Sequence, residues 1–119
     1  MGFMKRKTIR NHKDFLSRPD DLRASNIFFS IKAKNAKIPG AGRYGIVAPK
    51  KVFKLAVDRN RAKRIIRDWI ANHEDLMEDN LDYVFVLRNA ILDVNRTKGR
   101  KKMACELANI SLMYKNNAK

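Results

Sequence analysis

Residues 56–72 combine helical periodicity with two chemically different faces, and this segment constrains the fold more than any other part of the chain. At about 100° per residue the apolar side chains gather on one face, which consists of Ala62, Ile65, Ile66, Trp69 and Ile70. The opposite face carries polar and cationic side chains at i, i+3, i+4 and i+7, namely Asn60, Lys63, Arg64 and Arg67, flanked by Arg59 and Arg61. The pattern predicts a helix from about Ala56 to Asn72 that packs on a core and leaves a cationic face exposed.

The cationic face has few acidic partners, because Asp58 is the one acid within residues 56–67. Like charges three or four residues apart weaken a helix by a few tenths of a kcal/mol per pair, so the cluster does not serve stability. Folded RNA and duplex DNA both offer closely spaced phosphates, and release of their counterions drives binding. A solvated helix face is the alternative interpretation, but the lack of acids on the same stripe favours nucleic-acid binding.

The charge balance of the whole chain indicates the same class of partner. Its 119 residues include 27 Lys and Arg against 12 Asp and Glu, a net charge of +15, while 45% of the residues are hydrophobic. These numbers predict one globular domain over residues 1–119, flexible at residues 1–6 and 115–119, with a polyanionic partner. No stretch approaches the roughly 20 apolar residues of a membrane span, and no secretory signal is recognisable, so no membrane partner is expected. The single cysteine, Cys105, excludes an internal disulfide and favours a reducing cytoplasm.

The remaining periodicities predict an α+β fold. A short helix is expected over residues 8–17, ended by Pro19. Alternating or continuous apolar residues predict three strands, at residues 26–33, 43–50 and 83–87. A last helix is predicted over residues 96–114, with a core stripe that consists of Met103, Leu107, Ile110 and Tyr114.

The start of this last helix carries a second group of cations, which consists of Arg96, Lys98, Arg100, Lys101 and Lys102. Cations near a helix N-terminus oppose the helix macrodipole. This group therefore also suggests an external anion.

The strand predicted at residues 26–33 has one apolar face, with Ile27, Phe29 and Ile31, and one mixed face, with Phe28, Ser30 and Lys32. Stacking of an unpaired base on an aromatic ring contributes about 1–3 kcal/mol and tolerates any base. Phe28 is therefore either a stacking platform for single-stranded nucleic acid or a core residue, and the sequence leaves both roles open.

No arrangement of residues indicates catalysis or metal binding by this chain alone. Gly40, Gly42 and Gly45 match G-x-G-x-x-G, but they lead into a predicted strand and not a helix, which argues against a dinucleotide site. His12 and His73 have no carboxylate or cysteine at ligand spacing, and the acidic residues between 74 and 82 are more typical of solvated carboxylates. We therefore expect no catalytic residue and no metal site in the chain itself.

Two consecutive motifs resemble the protein subunit of bacterial ribonuclease P. Residues 43–51, Arg-Tyr-Gly-Ile-Val-Ala-Pro-Lys-Lys, resemble the family's strand that ends in a Lys-Lys pair. Residues 56–67 fill every fixed position of the family's helical motif Ala-Val-x-Arg-Asn-Arg-x-Lys-Arg-x-x-Arg. Since the predicted elements also occur in the family's order, the resemblance covers most of the chain.

The resemblance implies an α/β sandwich similar to one domain of a ribosomal S5-type protein. It also implies a left-handed β-α-β crossover, although about 98% of such crossovers are right-handed. The implied activity is removal of the 5′ leader from precursor tRNA, in which a catalytic RNA subunit performs the hydrolysis with bound Mg²⁺. The implied partners are that RNA and the precursor tRNA, and no further protein is required.

Site residues are carried over from the family position by position. Those implied to face RNA are Lys50, Lys51, Arg59, Asn60, Arg61, Lys63, Arg64 and Arg67. Those implied to line the cleft for the single-stranded leader are Phe15, Phe28, Ser30 and Lys32. Three departures from the family affect the floor of this cleft: Phe53 replaces a usual Gly, Pro49 replaces a frequent Ser, and Pro19 lies near an expected aromatic.

Two other functions stay open at this point. One is a structural, ribosomal-type RNA-binding protein of the same fold without a processing role. The other is a nuclease that acts independently of any RNA subunit.

Overall fold

The computed structural model describes residues 6–15, 19–93 and 95–117. Its strands and helices, in chain order, are β1 (Leu22–Ser25), β2 (Phe29–Asn35), β3 (Tyr44–Val47), α1 (Ala56–Asn72), β4 (Leu81–Leu87) and α2 (Arg96–Asn117). Short 3₁₀ helices lie at His12–Phe15, Glu74–Leu76 and Asn89–Asp93. The α+β class predicted from the periodicities is confirmed, and α1 has the predicted bounds.

The four strands form one mixed sheet in the order β1-β2-β4-β3. Strand β2 is antiparallel to both of its neighbours, whereas β3 is parallel to β4. Because α1 connects β3 to the parallel strand beside it, the β-α-β unit implied by the resemblance is present. The left hand of this crossover stays a prediction.

Both helices pack on one face of the sheet. The indole of Trp69 in α1 lies 6.3 Å from the ring of Phe29 in β2, measured between centroids. The same buried cluster includes the α2 residues Met103, Leu107 and Ile110, as the apolar stripe predicted. The apolar face predicted for α1 is also confirmed, since Ala62, Ile66, Trp69 and Ile70 are buried and Ile65 packs against them.

The segment before β1 differs from the predicted helix over residues 8–17. Only His12–Phe15 are helical, Thr8 forms a parallel bridge with Tyr44, and residues 16–17 lie outside the described part of the chain. The N–H of Ile9 donates to the Tyr44 carbonyl at 2.8 Å, and the N–H of Tyr44 donates to the Lys7 carbonyl at 3.1 Å. A segment of this length is a marginal helix, so pairing with the edge of β3 prevails.

Strand β2 begins at Phe29 and not at residue 26, because a turn precedes it. The side-chain oxygen of Asn26 accepts the N–H groups of Phe28 and Phe29 at 2.7 and 3.1 Å. This turn breaks the predicted alternation, so Ile27 is exposed and Phe28 is buried. Strand β1 was not predicted, because four residues give too short a pattern for a reliable period.

Strand β3 ends at Val47, three residues earlier than predicted. The Pro49 carbonyl accepts the N–H groups of Val52 and Phe53 at 3.0 and 2.9 Å, so the chain turns here. Proline itself has no N–H to donate to a strand partner, and the ladder ends before it.

The described residues at the two chain ends belong to ordered contacts or to α2, and the flexibility expected of the ends stays a prediction. A guanidinium nitrogen of Arg6 donates to the Glu78 carbonyl at 2.5 Å, and the guanidinium carbon lies 5.3 Å from the ring centroid of Tyr83. Helix α2 continues to Asn117, past the predicted end at Tyr114. Residues 1–5 and 118–119 lie outside the described residues.

Candidate nucleic-acid interface

The polar face of α1 is presented to solvent as the sequence predicted. We call its members, Asn60, Arg61, Lys63, Arg64 and Arg67, the α1 ridge; Lys63 is half-buried and the others are exposed. Ion pairs within the described residues join Arg6 to Asp79, Arg43 to Asp82 and Arg100 to Asp68, and none of them involves the ridge. The ridge cations therefore remain available to an external anion.

Two arginines at the margins of the ridge also bind backbone carbonyls. Arg59 is half-buried, and its guanidinium donates to the carbonyls of Phe53 at 2.8 Å and Lys54 at 3.3 Å. Arg61 donates to the Leu92 carbonyl at 3.3 Å. These hydrogen bonds hold the segment before α1, and the 3₁₀ helix Asn89–Asp93, against α1. Direct RNA contact by Arg59 stays a prediction.

The segment between β3 and α1 carries both exposed lysines and a buried aromatic residue. Lys50 and Lys51 are exposed in its turn. Phe53, one of the departures from the family pattern, is only 1% exposed and belongs to the buried cluster under the helices. Phe53 is therefore a core residue and not part of a cleft floor.

A groove lies on the sheet face opposite the two helices. Strand register aligns Ser25, Ser30 and Val86 in one cross-strand row, and Arg23, Lys32 and Val84 in the next. We call the resulting depression the sheet groove; it measures about 540 Å³ and is lined by Arg23, Ala24, Ser25, Ser30, Ile31, Lys32, Val86 and Arg88. Three cations and two hydroxyl groups thus surround an apolar floor.

The electrostatics of the groove favour a bound anion. Burial lowers the pKa of Lys32 below its ordinary 10.5, and the neighbouring cations Lys34 and Arg23 lower it further, while Asp21 acts in the opposite direction. A phosphate beside Lys32 would stabilise the ammonium and offset this penalty. The groove therefore has the chemistry of a phosphate-backbone site.

Of the four predicted cleft residues, Ser30 and Lys32 line the groove, as the mixed strand face predicted, and Phe15 lies beside Lys32. The Phe15 ring packs over Gly45 of β3, so closely that a side chain at position 45 would collide with the ring. The Phe15 carbonyl lies 3.4 Å from the Lys32 ammonium. Phe15 therefore lies next to a lining residue of the groove and covers part of the open sheet face.

The structure corrects the prediction that Phe28 lines the leader cleft. It is 4% exposed, and its ring meets the Trp69 indole edge-on, with centroids 6.3 Å apart and an angle of 71° between planes. The turn at Asn26 directs this side chain into the core beneath the helices. Phe28 is thus the core residue that the sequence left as one of two options, and it does not line the groove.

The sequence interpretation missed two cations of the groove, Arg23 and Arg88. Arg23 belongs to the unpredicted β1, and its signal was the brief apolar–polar alternation of residues 22–25. Arg88 follows directly after the strongest strand pattern, and its N–H donates to the Phe28 carbonyl at 2.9 Å. Neither was recognisable as a site residue until the strand order was known.

In the part of the chain that the structure describes, no group of three or more His, Cys, Asp or Glu side chains is arranged to hold a metal ion. Within the same residues, neither helix is long and apolar enough to cross a membrane.

Comparisons with known proteins agree on one family. The family model described as Ribonuclease P matches residues 3–111. The ribonuclease P protein component of Desulforamulus reducens is 33% identical over 100 residues, covering 76% of this chain and 88% of that protein. The component of Halorhodospira halophila is 32% identical over 78 residues, covering 66% of this chain and 62% of that protein. The match to the component of Vibrio campbellii covers 60% of that protein. The chain thus spans less than two thirds of the length of several curated relatives.

Solved structures show the same fold. The RNase P protein from Thermotoga maritima superposes with a TM-score of 0.72 at 24% identity, covering 87% of this chain and 97% of that one. The RNase P protein of Staphylococcus aureus superposes with a TM-score of 0.66 at 25% identity, covering 93% and 97%. The resemblance drawn from residues 43–67 is confirmed.

Proposed function

Because the chain belongs to the ribonuclease P protein family, we propose that it is the protein subunit of this ribonucleoprotein and assists removal of the 5′ leader from precursor tRNA. The α1 ridge binds the catalytic RNA, and the sheet groove holds the single-stranded leader. The observation that carries this proposal is the presence of two separate cationic surfaces, one on each side of a single sheet. They allow one small domain to contact two RNA segments at once.

The α1 ridge suits a structured RNA. Its exposed guanidinium groups project from a rigid helix at fixed spacings and can donate bidentate hydrogen bonds to phosphates. Each phosphate that is neutralised releases condensed counterions, so binding should weaken steeply with salt.

The sheet groove suits an unpaired strand. Arg23, Lys32 and Arg88 supply charge for phosphates, Ser25 and Ser30 supply hydrogen-bonding groups, and Val86 supplies an apolar floor. Such a site contacts backbone and base faces more than base edges, so it accepts leaders of different sequence.

Catalysis is assigned to the RNA. The Mg²⁺ of the proposed holoenzyme is proposed to be bound mainly by the RNA subunit, as the resemblance implies. The chain contributes positive charge where two RNAs meet, which reduces phosphate repulsion and raises substrate affinity. Since precursor tRNA is the proposed substrate, we place the particle in the cytoplasm.

One reconstitution tests the proposal. The protein is mixed with ribonuclease P RNA and precursor tRNA at low Mg²⁺, and each component is also assayed alone. Cleavage that requires both protein and RNA supports the subunit function. Absence of any stimulation supports a structural RNA-binding protein of the same fold, and cleavage by the protein alone supports an independent nuclease.

A further inference from the structure

Three exposed lysines lie at the start of α2. Lys98, Lys101 and Lys102, which we call the α2 cluster, are exposed, and no ion pair joins their side chains to the described residues. Only Arg100 among the described cations of this helix start is paired, with Asp68 at 3.1 Å.

The α2 cluster is unfavourable for α2 itself. The first turn of the helix contains no acid, and its positive dipole end lies beside these lysines. Lys98 repels both Lys101 and Lys102, which lie three and four residues further along the same face. The backbone amides here are already capped, since Asn95 accepts the N–H groups of Thr97 and Lys98 at 2.9 and 3.3 Å. Any function of the cluster therefore resides in its side chains.

The α2 cluster is fixed in position relative to the α1 ridge. Gly99, between the clustered lysines, lies directly against the Trp69 indole of α1. The Arg100–Asp68 pair, one residue after Gly99 and one before Trp69, also joins the two helices and neutralises this acid. Arg61 of the ridge holds the Leu92 carbonyl, in the 3₁₀ helix that leads to α2. The start of α2 is thus packed directly on α1, and the two cationic groups belong to one helical layer.

The chain topology brings the starts of both helices to one end of the molecule. Strands β3 and β4 are parallel, and each leads at its C-terminal end into a helix, so α1 and α2 both begin at that edge of the sheet. Glu74, Asp75 and Asp79 lie at the other edge, between α1 and β4, whereas Asp58 and Asp93 lie at the same end as the helix starts. A polyanion that approaches α1 therefore meets the start of α2 as well.

We propose that the α2 cluster binds the phosphate backbone of the same RNA as the α1 ridge, so that one docking surface spans both helices. The inference rests on the proposed function and extends its RNA contact to a second element. The α1 ridge lies within the family's helical motif, whereas the α2 cluster adds phosphate contacts from lysines outside that motif.

A charge-neutral triple variant tests the inference. Lys98→Gln, Lys101→Gln and Lys102→Gln are combined, because Gln has a helix propensity close to that of Lys. The dissociation constant for folded ribonuclease P RNA is measured between about 50 and 200 mM salt, alongside the thermal midpoint. Three lost phosphate contacts should lower the log–log salt slope by about 2–3. The thermal midpoint should stay constant or rise, because the charges oppose the dipole.

Matched variants separate the possible outcomes. Lys115→Gln, on the last turn of α2 and about 20 Å from the cluster, should leave the slope unchanged. If Arg64→Ala lowers the slope and the triple variant does not, this inference fails while the proposed function stands. If neither variant changes the slope, both fail. A fall in the thermal midpoint of the triple variant would show that the lysines are structural, which also overturns the inference.

Discussion

Gly99 of α2 lies against the Trp69 indole of α1 so closely that a Cβ at this position would fall within 2.6 Å of three ring atoms. This contact sets the distance between the two helices, because a larger residue would push them apart. Helix propensity alone disfavours glycine in the first turns of a helix. The close contact with Trp69 explains why a glycine occurs there.

Gly99→Ala should lower the free energy of unfolding by about 1–3 kcal/mol, the usual cost of an overpacked core. Alanine is the better helix former, so propensity alone predicts the opposite sign. Urea denaturation measures the change. Ala108→Gly, at an exposed site on the same helix, is the control and should lose about 1 kcal/mol from propensity. A stabilised Gly99→Ala protein would contradict the observed packing.

Arg64→Ala should weaken binding to ribonuclease P RNA and reduce the log–log salt slope by about 0.7–0.9, the contribution of one phosphate contact. Arg64 is exposed on the α1 ridge, so the fold should tolerate its loss. Fluorescence titrations over a salt series measure the slope, and Lys115→Ala serves as the matched loss of an exposed cation. A slope equal to that of the wild type would argue against direct phosphate contact by Arg64.

Phe28→Ala should cost about 3–5 kcal/mol of stability, as expected for removal of a buried aromatic ring. Phe28→Leu keeps much of the apolar volume and provides a folded comparison. Because the ring packs on Trp69 and not in the groove, the leucine variant should bind precursor and mature tRNA with the same relative affinities as the wild type. A selective loss of precursor binding would instead return Phe28 to the leader site.

Lys32→Met should weaken precursor tRNA about tenfold relative to mature tRNA, which corresponds to about 1.4 kcal/mol from one charged contact. Lys37→Met, exposed in the loop before β3, is the matched control and should leave this ratio unchanged. An unchanged ratio for Lys32→Met would remove Lys32 from the proposed leader site.

The same substitution should leave stability at pH 7 unchanged or slightly raised. Burial and neighbouring cations lower the pKa of Lys32 in the folded protein. Below that lowered pKa the lysine is charged in both the folded and unfolded states, and the folded state bears the penalty. The penalty disappears as pH rises from the lowered pKa past 10.5. Thermal midpoints of the two proteins should therefore converge at alkaline pH.

Tyr83 should make the fold sensitive to alkali. Burial raises its pKa from 10.0 to about 12. The stability linked to the neutral phenol is fully present below pH 10 and is lost as pH rises from 10 through about 12, up to about 3 kcal/mol. Urea unfolding of wild type and Tyr83→Phe across pH 7–12 measures this loss.

Tyr83→Phe should be less stable by about 1 kcal/mol at pH 7, because the Tyr83 hydroxyl accepts the Glu78 N–H at 2.8 Å. Its stability should fall less steeply above pH 10, so that the two curves approach one another and then cross. Parallel curves would exclude Tyr83 as the group responsible.

The cationic helix was predictable because its pattern is local. Residues three and four positions apart share a face in any α-helix, so the order of residues 56–72 determined both the buried and the exposed sides of α1. The strong apolar run in β4 and the core stripe of α2 were recognisable for the same reason. The motif in residues 43–67 was sufficient to identify the family.

The sheet groove was only partly predictable, because it is assembled from separate strands. Ser30 and Lys32 share a face by simple alternation, but Arg23 and Arg88 join them through the pairing of β1 and β4 with β2. Phe28 shows the limit of alternation, because it follows a turn in which the Asn26 side-chain oxygen accepts the N–H groups of Phe28 and Phe29, and its side chain lies in the core and not on the mixed face.

The sequence by itself determined the helix periods, the family and the net positive charge that predicts a polyanionic partner. Only the tertiary structure decided the strand register, the burial of Phe28 and Phe53, and the packing of the start of α2 on α1. The physical reason is range. Helical faces follow from neighbours within one or two turns, whereas grooves and helix seams depend on residues that only packing brings together.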